Sequence, residues 1–175
     1  MHFVAFLRNV NQGQRGHPST SALLTAFADA GCPGAVPFQS NGTIVIDADD
    51  PQTATAEAVL ALAARSGHER EGFWMPLADV ARIVDDHAGC PDAARRELTL
   101  HSGGTIDPAD PVAIREAAHR RCEIVESGDG WLVAVNERDR ESNSTPTVER
   151  ITGLPATSRG LPTLVRLIDR FGALA

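Results

Sequence analysis

The chain lacks two residue types that many active sites use, lysine and tyrosine. All 16 basic residues among its 175 positions are arginine, and the tyrosine count is zero. These absences exclude a Schiff-base lysine, a lysine general base, a catalytic tyrosine and a Walker-type phosphate loop, which needs Gly-Lys-Ser/Thr. They exclude mechanisms without indicating a purpose, because biased base composition in the coding DNA produces the same pattern.

Long apolar runs are also absent, and no signal peptide is expected. Runs such as Trp131–Val135 are far too short to span a bilayer, so no membrane partner is expected. Met1–Val4 lacks the basic region that opens a signal peptide. The three cysteines, Cys32, Cys90 and Cys122, are odd in number and widely spaced, which favours reduced thiols. We therefore expect a cytoplasmic protein.

Positive charge is scarce overall, with 23 acidic residues against 16 basic ones and a net charge of -7. A nucleic-acid binder usually carries a basic face, so this balance argues against a nucleic-acid partner. RNA-binding sheets of the ferredoxin-like type also expose aromatic side chains, and the third strand candidate, Thr43–Ile46, has none. The hydrophobic fraction of 42% is that of an ordinary globular domain.

Residues 1–76 alternate between strand and helix patterns. A cap at Ser19 or Thr20 and the pair Asp50-Pro51 predict two helices that end near Gly31 and Gly67. The order is that of a ferredoxin-like βαββαβ unit, with an antiparallel sheet and helices on one face. The strand candidates are short apolar runs: His2–Leu7, Val36–Gln39, Thr43–Asp47 and Gly72–Met75.

Residues 77–175 predict a smaller α+β subdomain that packs against the first one to form one compact unit. Asp110-Pro111 repeats the helix cap, and a second hairpin turns at Ser127–Gly130. Two short helices, around Thr147–Thr152 and Pro162–Phe171, close the chain. The predicted fold class is therefore α+β, with a ferredoxin-like subdomain over 1–76 and a second subdomain over 77–175.

Two polar runs at strand ends, Arg8–Gly13 and Gln39–Gly42, form the candidate site. In a βαββαβ unit they lie at the same sheet edge as the loop after the second helix and the start of the first helix, whose free N–H groups favour anions. Arginine forks bind carboxylate or phosphate, and amide side chains both donate and accept. We expect a non-catalytic module that binds a small anionic or polar ligand. The candidate ligand-binding residues are Arg8, Asn9, Asn11, Gln12, Gln39, Ser40, Asn41 and His68.

Three alternatives stay open at this point. The same residue types build ordinary turns, whose side chains satisfy the loop backbone. In the second alternative, the sheet edge or face is a surface that binds another protein or a second copy of this chain, which would give a homodimer. The third is a hydrolase-type enzyme that acts on phosphate esters or amides through His17 or His68.

Metal and cofactor sites are not expected. Two His-x-x-Cys pairs, His87 with Cys90 and His119 with Cys122, could supply four zinc ligands in principle. Each histidine, however, falls in the last turn of a predicted helix, where a positive charge is favourable. No nucleophile elbow, EF-hand loop or dinucleotide fingerprint is present.

Three motifs resemble those of the bacterial domain of unknown function 1697 family. Phe6–Gly13 is similar to its opening signature, Leu-Leu-Arg-Gly-Ile-Asn-Val-Gly, with asparagine in place of the first glycine. Gln39–Val45 is similar to its Gln-Ser-Gly-Asn-Val-Val hairpin, and Ala156–Leu164 to its Ala-Thr-Thr-Arg-Asn-Trp-Asn-Thr-Val. The resemblance implies an α+β fold with a ferredoxin-like N-terminal part, and it implies no activity. The third motif keeps the arginine of the family motif, as Arg159. Arg159 therefore joins the candidate ligand-binding residues as a polar anchor. In the interpretation that we favour, it instead forms a buried salt bridge.

Overall fold

The structure, a computed structural model, describes all 175 residues. The chain divides into two units, of which the first contains residues 1–81 and 171–175 and the second contains residues 82–170. Each unit has its own four-stranded antiparallel sheet with helices. The predicted α+β class is confirmed. None of the helices is long and apolar enough to cross a bilayer.

The first unit has the βαββαβ element order that the sequence predicts. Its sheet has the strand order β2-β3-β1-β4, and every neighbouring pair is antiparallel. The third helix, α3, starts in this unit and ends in the second. The elements are β1 (His2–Leu7), α1 (Thr20–Asp29), β2 (Val36–Phe38), β3 (Thr43–Asp47), α2 (Pro51–Ser66), β4 (Gly72–Pro76) and α3 (Leu77–Ala88).

Local sequence signals fix the ends of the first two helices. Ser19 caps α1, where its side chain accepts a hydrogen bond from the Ala22 backbone N–H at 3.1 Å. Asp50 caps α2 in the same way through Thr53, and Gly67 ends α2 in the left-handed conformation. The two helices pack on one face of the sheet. Each large apolar side chain that is fully buried there stabilises the fold by roughly 1.5–3 kcal/mol. The large members of this core include Leu7, Leu23, Phe27, Ile44 and Ile46.

The second unit has the strand order β6-β7-β5-β8, again with antiparallel neighbours. Asp110 caps its first complete helix through the Val112 N–H, as the Asp-Pro pair predicts. The elements are β5 (Arg96–His101), α4 (Pro111–His119), β6 (Cys122–Gly128), β7 (Trp131–Asn136), α5 (Ser144–Thr152), β8 (Ala156–Gly160) and α6 (Leu161–Phe171).

The sequence did not predict strand β8. Ala156–Gly160 pairs with β5 over its whole length, with Arg159 opposite Leu98. Its sequence, Ala-Thr-Ser-Arg-Gly, has neither the apolar alternation nor the β-branched content of a typical strand. The pairing with a distant strand, rather than local propensity, places this segment in the sheet.

One histidine of the second unit is buried without a charged partner. His101 is 3% exposed, its Nδ1 accepts from the Gly103 N–H at 3.1 Å, and its Nε2 is buried with no hydrogen-bond partner. Burial lowers the pKa of the His101 imidazole below its ordinary value of 6.5, and the Asp129 carboxylate opposes this only in part. The neutral ring with hydrogen on Nε2 is therefore the folded form.

The free energy of unfolding is expected to fall as the pH drops below 6.5, because the unfolded chain binds the His101 proton more readily than the folded chain does. Well above pH 6.5 both states hold the ring neutral, and this contribution to stability is fully present. Urea titrations between pH 5 and 8 measure the slope. We expect H101Q to flatten this slope. Equal slopes in the wild type and H101Q would contradict this account.

Candidate functional site

Three loops of the first unit meet at one edge of its sheet. The Gln12 N–H donates to the Ser40 carbonyl at 2.8 Å, which joins the loop after β1 to the β2–β3 hairpin. The Arg8 N–H donates to the Glu71 carbonyl at 2.9 Å, which joins the same loop to the one after α2. We call the surface formed by residues 8–18, 39–42 and 66–71 the loop edge.

The backbone turns sharply in both polar runs of the loop edge. Asn9 and Gln39 have φ values of 54° and 57°, in the left-handed region that few residues other than glycine adopt. Asparagine tolerates this region better than most residues, whereas glutamine has no special preference for it. Gly42, with φ of 72°, closes the hairpin against the Leu7 N–H.

Arg70 holds the loop edge together, and the sequence did not single it out. Its Nε donates to the Asn9 carbonyl at 3.3 Å, and its guanidinium also donates to the Gly16 carbonyl at 3.0 Å. A further bond reaches the Ser66 hydroxyl at 3.2 Å. One side chain therefore ties the loop after β1 to the loop after α2. No local motif marks it, because its partners are backbone carbonyls 54 and 61 positions away.

The other two arginines of the loop edge differ in how far they are engaged. Arg8 is half-buried and forms an ion pair with Glu71, with 3.4 Å between the nitrogen and the oxygen. Arg15 is exposed and makes no hydrogen bond or ion pair. Arg15 is thus the cation of this surface that is available to a ligand.

Five predicted or neighbouring polar side chains of the loop edge are exposed and make no hydrogen bond: Asn9, Asn11, Arg15, Gln39 and Ser40. Gln12 is half-buried, and its Nε2 donates to the Thr20 hydroxyl at 3.2 Å in the first turn of α1. Its Oε1 is buried without a hydrogen-bond partner. Asn41 is half-buried in the hairpin. The exposed side chains of this surface therefore offer a guanidinium, several amides and a hydroxyl.

The two histidines of the hydrolase hypothesis have no carboxylate partner. The Asn11 N–H donates a hydrogen bond to His17 Nδ1 at 3.0 Å. This ring nitrogen is therefore occupied by a contact within the loop. The His68 side chain is exposed and makes no hydrogen bond, and only its backbone contacts Arg70 and Ser66. A general base needs an orienting partner and a proton to abstract within hydrogen-bond reach. The structure shows no orienting carboxylate for either ring.

The histidine that does have a carboxylate lies in the second unit. His87 Nε2 lies 2.7 Å from Glu126 Oε2, and Arg96 contacts the other ring nitrogen. Because a guanidinium only donates, Nδ1 accepts and the ring hydrogen on Nε2 faces Glu126. His87 is 6% exposed, so this cluster orders the end of α3 rather than facing an open cleft.

Arg159, the ninth predicted residue, belongs to the second unit rather than to the loop edge. It lies on β8 and donates to the Thr157 hydroxyl at 3.0 Å and the Ser158 carbonyl at 2.8 Å. Burial lowers the pKa of its guanidinium to about 10, so it stays charged at neutral pH. The salt bridge that the sequence favours for it stays a prediction.

The cysteines and histidines form no metal site. No group of three or more His, Cys, Asp and Glu side chains is placed to hold a metal ion. The Cys122 thiol contacts the Thr147 hydroxyl at 3.3 Å, and burial raises its pKa, as it does for Cys32. All three cysteines are unpaired. Neither Cys32 nor Cys122 is therefore an activated nucleophile, which needs a lowered pKa.

Comparisons with known proteins identify the fold and the family. No curated protein matches the chain. The solved structure of the conserved bacterial protein SP0830 from Streptococcus pneumoniae aligns with a TM-score of 0.58 at 12% identity, over 94% of this chain and 95% of that one. At this identity the likeness shows a shared fold. The family model described as a protein of unknown function, DUF1697, matches residues 1–126, which is more than half of the chain. The chain therefore belongs to the DUF1697 family.

Proposed function

We propose that this protein is a non-catalytic module that binds a small anionic or polar ligand at the loop edge. One observation carries the proposal. Loops that bear eight of the nine predicted residues are joined by direct hydrogen bonds, yet they leave exposed polar side chains unbonded. Turns that merely satisfied their own backbone would use these side chains internally.

The groups at the loop edge indicate the chemistry of the ligand. Arg15 supplies a planar guanidinium that matches a carboxylate or phosphate. Asn11 and Gln39 are exposed, and their amide side chains both donate and accept. The positive end of the α1 dipole lies at Thr20, next to Gln12. A small molecule that carries both a carboxylate and an N–H donor, such as a free amino acid, satisfies all of these groups.

The loops are held before a ligand arrives, which supports binding rather than folding upon binding. Arg70 contacts two carbonyls of the loop after β1, and the Gln12 N–H fixes that loop to the hairpin. Preorganised loops bind with a smaller loss of conformational entropy. The unpaired cysteines fit a cytoplasmic location for this module.

Thermal denaturation with a panel of free amino acids and dicarboxylates tests the proposal. A panel member at 100 times its dissociation constant should raise the free energy of unfolding by roughly 2.7 kcal/mol. We expect R15Q and Q39A to remove most of this rise without changing the unliganded protein, because both side chains are exposed and unbonded.

The matched control is R138Q, which replaces another exposed arginine without a partner, in the second unit. It should respond to the panel as the wild type does. The proposal fails if no panel member stabilises the protein, or if R15Q responds as strongly as R138Q.

A further inference from the structure

A second cluster of cations lies in the second unit, around a surface depression of about 390 Å³. Helix α4 supplies most of its lining, and α5 supplies the rest. Every lining residue is charged or titratable: Arg115, Glu116, His119, Arg120 and Arg150. Such a cluster is unexpected in a chain with a net charge of -7.

Most of this positive charge has no partner within the protein. Arg120 is neutralised by Glu116, with 2.9 Å between the guanidinium and the carboxylate. Arg115, His119 and Arg150 make no hydrogen bond and no ion pair. Elsewhere in this acidic chain many arginines have carboxylate partners, as Arg65 and Arg82 do. Arg115 and Arg150 share the depression with a single carboxylate, Glu116, which already pairs with Arg120.

Helix dipoles explain only part of the cluster. His119 and Arg150 lie in the last turns of α4 and α5, where the partial negative charge of a helix end favours cations. Arg115 lies in the middle of α4, one turn before His119 and on the same face. The dipole effect is confined to the last turn, so it does not account for Arg115.

We propose that this depression binds the phosphate group of a small phosphomonoester. A guanidinium donates two parallel N–H hydrogen bonds to the oxygens of a phosphate group. Two guanidiniums balance the double negative charge of a phosphomonoester. The volume exceeds that of one phosphate and leaves room for a small organic group. Arg115 lies on α4 and Arg150 on α5, and these two helices contact each other. This site is separate from the loop edge in residues and in ligand, and it does not depend on the proposed function.

The phosphate site is tested by isothermal titration calorimetry of the full-length protein at low ionic strength. The two probes are inorganic phosphate and glycerol 3-phosphate. Low salt is needed because exposed charges are screened. We expect 1:1 binding of both probes, with the ester no weaker than the free ion. R115Q and R150Q should each reduce the affinity about tenfold, the typical effect of losing one charge-assisted donor pair.

R138Q is the matched control, because it removes an exposed, unpaired arginine outside the depression. It should bind phosphate like the wild type. The assignment is overturned if neither probe binds, if R115Q and R138Q bind equally well, or if R15Q alone abolishes binding. The last outcome would place the phosphate at the loop edge. If no amino acid or dicarboxylate stabilises the protein, the loop-edge proposal fails but the phosphate site does not.

Discussion

Replacing Glu97 by alanine is expected to lower the free energy of unfolding by about 4 kcal/mol, since two charge-assisted hydrogen bonds are lost inside the protein. Glu97 is 3% exposed and lies on β5, at the N-terminus of α5. One carboxylate oxygen accepts from the Ser144 N–H at 2.7 Å, and the other accepts from the Ser142 hydroxyl at 2.7 Å. The variant leaves a buried N–H without an acceptor and a helix end without its anion.

Urea denaturation of E97A and of E57A measures this effect against a matched control. Glu57 lies exposed on α2 and makes no hydrogen bond, so its replacement should change the free energy of unfolding by less than about 0.5 kcal/mol. E97Q should fall between the two, because it keeps the shape of the side chain but turns one acceptor into a donor. A loss below about 1 kcal/mol in E97A would show that the Glu97 hydrogen bonds contribute little.

Replacing Gly42 by alanine is expected to lower the free energy of unfolding by about 3 kcal/mol, from backbone strain and from overpacking together. Gly42 has φ of 72°, which L residues rarely adopt. A Cβ there would lie 2.8 Å from the Val10 Cβ and 3.0 Å from the Leu7 carbonyl oxygen. Both neighbours are buried, so neither can move aside without disturbing the core.

Gly34→Ala provides the control for Gly42→Ala. Gly34 has no positive φ, and a Cβ added there would meet nothing within 4 Å. We expect this change to leave stability unaltered or slightly raised, because alanine restricts the unfolded chain. Equal unfolding midpoints for the two variants in urea would contradict the close packing of the hairpin against the loop after β1.

Much of the first unit follows from local sequence signals. Ser19 and Asp50 cap helices where the sequence predicts, and the Asn-Gly hairpin joins β2 to β3. These features depend on a few consecutive residues and on the steric properties of glycine and proline. Strand β8 does not follow from such signals, because Arg159 and its polar neighbours enter the sheet only through pairing with β5.

The meeting of the loops in the first unit follows from topology, but the roles of individual side chains do not. The βαββαβ order brings the three loops to one edge, where the Gln12 N–H meets the Ser40 carbonyl. The sequence predicts His68 as the ligand-binding residue of the third loop. In the structure, Arg70 is the residue of that loop whose side chain contacts the loop after β1. Side-chain direction in a loop depends on tertiary hydrogen bonds, and no period or motif encodes it.

The most direct test of the loop-edge proposal is a map of where a ligand perturbs the backbone. Two-dimensional ¹H–¹⁵N spectra, recorded during titration with the amino acid that stabilises the protein most, report on each backbone N–H. The proposal predicts saturable shifts in residues 8–18 and 39–42 and in the first turn of α1, which R15Q removes. Saturable shifts that lie only outside these segments, or no shifts at all, would contradict it.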